Sequence, residues 1–543
     1  MRKIIILGLI LSSVSVSASG LNEDAYSWYG LIPALIAIVI SILTRQVILS
    51  LVLAVVSGSV IFYLFNPSDS YLFGIDKAMD HYILDSLVDS GHASVILFSL
   101  LIAGMINVIN RMGAFNGLVN WLSKFATTKR SALLTTYFLG FIVFFDDYAN
   151  TLVVGNTMQK ITDKFKISRE KLAFIVDATA APIASIALVS TWIGYEVQLI
   201  DEGIANANIA ARVGGGYSVF LNSISYSFYP IFILMFILIL ILTGKDFGPM
   251  KKFELEAQIK ASEKSIQNEK SIAPIWAVLP IGILLFVTLF GIYSTGNKGE
   301  GVAQAIQNGD CYKGLIWGSS AALFVALIIS RLNKNAFEDS INWILDGMKS
   351  LVPAIVILVL AWSLNGVLSD LKLGEFLSNF IVSTEMDFYL LPVIVFIFSG
   401  FIAFSTGSSF STMGILFPIV ISIASSFLSN EGEVSAIFYC SIASVLSGAV
   451  LGDHCSPISD TTILSSMATG CNHINHVNSQ LIYCLIVGVL SIVIILLQGV
   501  FGIPFWILMI IGLLLIYLTI NMLGEIVDTV SVKLVSLTKK KAH

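Results

Sequence analysis

The sequence predicts an all-α polytopic membrane protein, with about 11 transmembrane helices plus two re-entrant hairpins in an inverted repeat. Three observations support that class. Of 543 residues, 56% are apolar and only 12% charged, whereas a soluble domain carries about 25% charge. Apolar stretches of spanning length, roughly 17–25 residues, recur along the chain. Four stretches (132–157, 172–196, 388–428 and 434–470) contain polar breaks, in two matching pairs.

Taken in order, Arg2 and Lys3, the apolar run Ile4 to Leu11 and the small residues up to Ala18 have the layout of a signal peptide. An uncleaved short helix is the alternative. Unbroken spans are expected near 29–44, 46–65, 92–110, 217–243, 274–294, 314–330, 352–369, 480–500 and 503–522. With the mature N-terminus outside, Arg111, Lys124, Lys129 and Arg130 reach the cytoplasm, as the positive-inside rule requires. Stretch 132–157 is followed by Lys160, Lys164, Lys166, Arg169 and Lys171, which a single crossing would strand outside. A hairpin entering from the cytoplasm keeps them in. Its arms of about 12 residues reach about 18 Å, just past the middle of a hydrocarbon core about 30 Å thick. Stretch 388–428 is flanked only by acids (Glu385, Asp387, Glu431, Glu433) and reads as a hairpin entering from outside. Lys533, Lys539, Lys540 and Lys541 then leave the C-terminus cytoplasmic.

The expected organisation is a signal peptide at 1–18, a helix pair at 29–65 and a first repeat at 92–243. A charged cytoplasmic linker at 244–273 and connecting helices at 274–330 follow. The inverted second repeat at 352–470 precedes C-terminal helices at 480–522. The repeat itself is visible in three ordered matches: Ile106-Asn107 with Leu364-Asn365, Phe145 with Phe404, and Ala181-Pro182-Ile183 with Ser456-Pro457-Ile458. Their offsets of about 258, 259 and 275 positions keep one order with one insertion. Inverted repeats with discontinuous helices place a substrate site at the midplane where they meet, which points to a secondary transporter.

The polar breaks supply the chemistry. An Asp at bilayer depth costs roughly 2.5–3.5 kcal/mol even on a lenient scale, so Asp146 and Asp147 at the first hairpin tip call for a function. Two adjacent carboxylates in a dry site repel, so one is expected to hold a proton or a cation in its place. The bland reading is that one of them caps the second arm or pairs with a basic residue. Asn150 and Thr151 offer oxygens one turn on, and Ser405, Thr406 and Ser408 offer them from the opposite hairpin. Na⁺, a hard cation, prefers such oxygens, although membrane hydroxyls commonly bond to helix backbone. Asp177 lies on one broken span; Asp453, Ser456, Asp460 and Thr461 lie on the other, beside Pro182 and Pro457, which disturb the helices. Asp146, Asp147 and Asp460 are the leading Na⁺ ligands, with Asp460 the strongest candidate of the second half. Asp453 has the alternatives of capping a helix or pairing with His454. Glu196 is expected near the outer interface, facing water.

Phe144-Phe145-Asp146-Asp147-Tyr148-Ala149-Asn150-Thr151, Ser190-Thr191-Trp192-Ile193-Gly194-Tyr195-Glu196 and Gly452-Asp453-His454-Cys455-Ser456-Pro457-Ile458-Ser459-Asp460-Thr461-Thr462 resemble signatures of the NhaC family of Na⁺/H⁺ antiporters. The resemblance runs from about residue 90 to 500. It implies Na⁺/H⁺ exchange by a homodimer in a bacterial inner membrane, with paired re-entrant hairpins. It also admits exchangers that couple Na⁺ and H⁺ to malate and lactate. Such a carboxylate or amino-acid exchanger is the alternative reading. It needs cationic groups or helix N-termini to meet its substrate, and no Lys or Arg falls in a midplane segment.

Other classes fit poorly. The five cysteines are scattered without CxxC spacing, and there is no basic domain for nucleic acid. A membrane-embedded aspartyl hydrolase needs two carboxylates sharing one site, whereas sequence neighbours usually point apart. A channel would not drive uphill transport. No cofactor is expected beyond the transported Na⁺ and H⁺, and the lipid bilayer is the solvent.

Overall fold

A computed structural model describes residues 29–527, apart from 45, 66–73, 260–270, 297–304, 307–308, 374–375, 377–386 and 429–435. The expected signal peptide and the terminal lysines lie outside the described residues. An N-terminal pair, α1 (Leu31–Thr44) and α2 (Val47–Phe65), packs on a helical segment at 75–88. α3 (Ser90–Arg111), capped by Asp89, leads through α4 (Ala114–Leu122) to the first hairpin, α5 (Lys129–Ile142) and α6 (Asp147–Lys164). The broken span follows as α7 (Arg169–Ala184) and α8 (Thr191–Asn206). α9 (Gly216–Ser223) and α10 (Phe228–Thr243) form a single apolar run bent by 45° near Ser227.

The charged linker is helical over α11 (Gly248–Ile259). α12 (Ile275–Thr295) and α13 (Cys311–Leu332) connect to α14 (Phe337–Ser350) and α15 (Val352–Asp370). The second hairpin is α16 (Leu391–Thr406) and α17 (Ser409–Ser425), and the second broken span is α18 (Ala436–Cys455) and α19 (Asp460–Thr469). α20 (His473–Phe501) and α21 (Phe505–Leu523) complete the bundle. Eight described helices are long and apolar enough to cross a membrane, ten if each bent pair is one span, so the expected count of about 11 is not reached on length and composition alone. The reason lies in the breaks: α7, α8 and α19 are each too short to count. α14 was not foreseen, because its charged face hides its amphipathic period.

The restarts at both hairpin tips and in both broken spans are each made by a capping side chain. Asp146 accepts from the Ala149 amide at 2.8 Å, Ser190 from Trp192 and Ile193 at 3.2 Å, Ser408 from Ser411 at 3.3 Å and Ser459 from Thr462 at 3.4 Å. Such caps satisfy helix N–H groups that lipid cannot. Each hairpin tip also grips the break of its own repeat through matching residues. The Phe145 carbonyl accepts from the Thr191 amide at 2.9 Å, and the Phe404 carbonyl from the Ser456 hydroxyl at 2.7 Å.

On one face, the chain leaving α10 pairs with the chain leaving α21 as two-residue strands, β1 (Lys245–Asp246) and β2 (Glu525–Ile526), antiparallel with Lys245 opposite Ile526. A buried polar cluster lies beneath. Lys171 Nζ meets Asp246 Oδ2 at 2.6 Å, Tyr483 donates to Asp246 Oδ1 at 3.0 Å, and Glu254 accepts from Ser168 N and Oγ at 2.7 Å while pairing with Lys129. Two of the basic residues that the sequence assigns to the cytoplasm, Lys129 and Lys171, thus share one cluster.

The second hairpin is held to its broken span backbone to backbone. A Cβ on Gly452 would overlap the Gly400 carbonyl oxygen and stand 2.7 Å from the Phe404 amide nitrogen; one on Gly448 would overlap the Phe396 carbonyl. Gly452→Ala is therefore expected to cost about 1–3 kcal/mol, as overpacking does. Thermal unfolding in detergent would show it against Gly282→Ala, whose Cβ meets nothing within 4 Å. Equal melting of the two variants would contradict the close packing.

Candidate functional site

Tip and break contacts bring carboxylates of both repeats into one interior. Asp146 is 8% exposed and Asp147 2%. Asp146 uses one oxygen to cap α6, so the bland reading of it holds, but its other oxygen accepts from Thr191 Oγ1 at 3.0 Å. Asp147 accepts from the Tyr148 amide next to it at 3.0 Å and faces the Trp192 side chain. It also lies within electrostatic reach of Asp146 and of Asp453 from the other repeat. Tyr148 is surrounded by Asp146, Asp147, Asp453 and Asp460, and donates to Asp460 Oδ2 at 3.3 Å.

The second-half residues divide between interior and surface. Asp453 is buried and accepts from Thr461 Oγ1 at 3.3 Å. It does not pair with His454, whose Nδ1 instead meets Tyr229 Oη at 3.0 Å. Asp460 opens onto a cavity. Asp177, 0% exposed, joins the repeats: its Oδ2 accepts from Thr462 Oγ1 at 2.9 Å and Gln480 Nε2 at 2.6 Å, with His476 at 3.8 Å. Its Oδ1 has no partner. Among the described residues no three His, Cys, Asp or Glu side chains converge as a metal cage, so Asp146, Asp147 and Asp460 do not meet at one point.

Several expected oxygen donors serve the backbone. Asn150 donates to the carbonyls of Gly140, Val143 and Thr179 at 2.9, 3.2 and 3.3 Å, stapling the hairpin arms, and leaves its buried Oδ1 unpartnered. Thr151 donates to the Tyr148 carbonyl, and Thr406 accepts from the Ser408 amide within the tip. Ser456 is committed to Phe404. Ser405 is half-buried on α16, and Ser408 reaches the cavity wall. Glu196 is a correction: it is 0% exposed with both oxygens unpartnered, because α8 starts deep in the bundle and carries it inside.

Thr191, Gln480, Thr462 and His476 were not singled out. Thr191 could have been found, since Ser-Thr after a break is a capping signature, and Gln480 opens an otherwise apolar run.

Three voids are strung through this interior. One of about 510 Å³ is lined by Asn107, Arg111, Asp146, Tyr148, Ser408 and Asp460, with others from α14 and α15. A pocket of about 20 Å³ lies among Ser99, Asp146, Asp147, Thr191, Leu358 and Phe410. A third, of about 350 Å³, is lined by residues including His92, Glu202, Trp362 and Asn365. α3 and α15 touch both large cavities, α3 through His92 at one end and Arg111 at the other. Those two residues are about 28 Å apart at the helical rise.

The model of the Na⁺/H⁺ antiporter family matches residues 183–500. An uncharacterized Haemophilus influenzae protein is 31% identical over 474 residues, covering 85% of this chain and 89% of that one. The fold resembles the YdaH transporter of Alcanivorax borkumensis, described as having an unusual topology (TM-score 0.60, 13% identity, covering 85% of this chain and 99% of that one). It also resembles Neisseria gonorrhoeae MtrF, described with a class of antimetabolite efflux pumps (TM-score 0.53, 10% identity, 83% and 94%). A polytopic helical bundle with capped breaks facing buried carboxylates, matched in sequence over more than half its length, makes this chain a secondary transporter of the Na⁺/H⁺ antiporter family.

Proposed function

We propose that the protein exchanges Na⁺ for H⁺ across a bacterial cytoplasmic membrane by alternating access, with its N-terminus outside and the Lys171 end in the cytoplasm. The observation that carries this reading is the pocket of about 20 Å³ beside Asp146, Asp147 and Thr191. A site needs about 10–15 Å³ to hold one water, so the pocket accommodates one water-sized species, such as a stripped cation. It lies between the two larger cavities, where an ion can be handed from one side to the other. Asp147 is the leading carrier, because Asp146 is already held by the Ala149 amide and Thr191. Na⁺ and H⁺ compete for the same negative charge, which is the simplest basis for exchange.

A second reading has its own support. The cavity of about 510 Å³ exceeds what an ion needs, and it presents Arg111, Asn107, Asn110 and the Ser408 end of α17, groups suited to an organic carboxylate. Na⁺-dependent collapse of an imposed pH gradient in proteoliposomes, with and without malate, lactate or amino acids, separates the two. Collapse with Na⁺ alone is the expected result. Collapse only when an organic acid is present would replace the cation antiporter with a coupled metabolite exchanger.

A further inference from the structure

A second titratable cluster sits at the end of α3 opposite Arg111, away from the hairpin tips. His92 lies in the first turn of α3 and is 8% exposed. Its Nδ1 is 2.8 Å from the Ser86 carbonyl oxygen, which can only accept, so Nδ1 carries a hydrogen. Its Nε2 is hydrogen-bonded to Oε1 of Glu202 on α8, and that contact needs a second hydrogen. The pair therefore holds one proton more than a neutral imidazole beside an ionised carboxylate.

The surroundings place that proton on the ring. Asn365 Nδ2 donates to Glu202 Oε2, and Gln198 Nε2 donates to Oε1 at 3.4 Å, so both oxygens already accept amide hydrogens. The Trp362 indole lies flat on the imidazole, 3.9 Å between centroids at 4°, as suits a cation on an aromatic face. Other charged groups face the same cavity. Asp89, which caps α3, has Oδ1 3.9 Å from His92 Nδ1. Asp85 is bonded to His81 at 2.6 Å, and Asp370 is held by Lys77 at 3.2 Å and Tyr82 at 2.8 Å. The buried, unpartnered Gln198 Oε1 belongs to the same wall.

We propose that His92 and Glu202 form a second proton-binding site, remote from the hairpin carboxylates, whose proton ties α8 and α15 to α3 and keeps this end of the bundle closed. Its part in transport rests on the proton-exchange reading; its existence does not. Loss of the proton would leave one ring hydrogen for two acceptors, so His92 could keep Ser86 or Glu202 but not both, and the cationic face against Trp362 of α15 would be lost.

Tryptophan fluorescence of the full-length protein in detergent tests this directly, because an imidazolium stacked on indole quenches it. The Trp362 contribution, obtained by difference from Trp362→Phe, is expected to fall in one proton step as the pH is lowered. His92→Gln is expected to abolish the step, and Glu202→Gln to move it to lower pH. In proteoliposomes, His92→Gln should also remove the matching step from the pH profile of exchange. A Trp362 contribution that stays flat with pH in the wild type, or a step that survives in His92→Gln, would overturn the proposal. The fluorescence step requires no transport, so its failure is distinct from failure of the antiport reading.

Discussion

Asp147→Asn is expected to raise the Na⁺ concentration for half-maximal exchange by more than 100-fold, or to abolish exchange outright. Removing one partner from a buried charge pair costs about 3–5 kcal/mol, and each 1.4 kcal/mol is about tenfold in affinity. The Asn amide has nearly the same shape, so the fold should survive and the loss should fall on ion binding. Asp146→Asn should behave similarly yet fold at least as well, since Asn is as good a helix cap as Asp. Asp460→Asn, on the cavity wall, is expected to cost less than about tenfold, as for an exposed charge. Na⁺ titration of exchange in proteoliposomes measures all three. Wild-type affinity in Asp147→Asn would remove the hairpin tip from the ion path.

Lys171→Met should be the most destabilising single change in the buried polar cluster beneath the β1–β2 pair. It leaves Asp246, 1% exposed, without its cation, at an expected cost of about 3–5 kcal/mol. The double variant Lys171→Met with Asp246→Leu should recover most of that loss, because an apolar pair replaces an orphaned charge. Glu254 adds a pH signature. Burial alone would raise its carboxyl, but Lys171 and Lys129 outweigh burial and hold it below its usual range. A carboxyl lowered by folding stabilises fully above its unfolded value of about 4.3 and ceases to do so as the pH falls through the lower folded value. Acid melting of wild type should therefore show this step only below about pH 4, and Glu254→Gln should lack it. In Lys171→Met the step should rise, since one of the two cations is gone. Identical melting of wild type and Lys171→Met at neutral pH would show that the cluster contributes no net stability.

The breaks were legible because apolar runs with Asp, Ser, Pro and Gly inside them have no cheap structural explanation. The pairing of Phe145 with Phe404 was legible too, and each carbonyl proves to grip the break of its own repeat. The roles of individual oxygens were not. Asn150 and Ser456 have the chemistry of ligands, and only their three-dimensional neighbours show that they staple backbone. Asp177 could be suspected, but its partners Thr462 and Gln480 lie 285 and 303 positions away, beyond any local pattern. Glu196 was misplaced because a span interrupted at 185–190 does not advance the chain as a continuous helix would. The His92–Glu202 pair was hidden for the same reason as Asp177, its members being 110 positions apart.

The four capped restarts also set the electrical state of the interior. Each helix start behaves as about half a positive charge, while α5, α7, α16 and α18 end at the same breaks with about half a negative charge each, so the restarts aim a local field at the carboxylates without adding net charge. Asp146, Asp147, Asp177 and Asp453 supply up to four negative charges when ionised, and the histidines that face Asp177 are His476 and His454. The backbone's share is permanent: it cannot dissociate, titrate or swing away. The negative charge of the ionised carboxylates therefore falls to mobile cations to balance, and one Na⁺ still leaves a place for a proton.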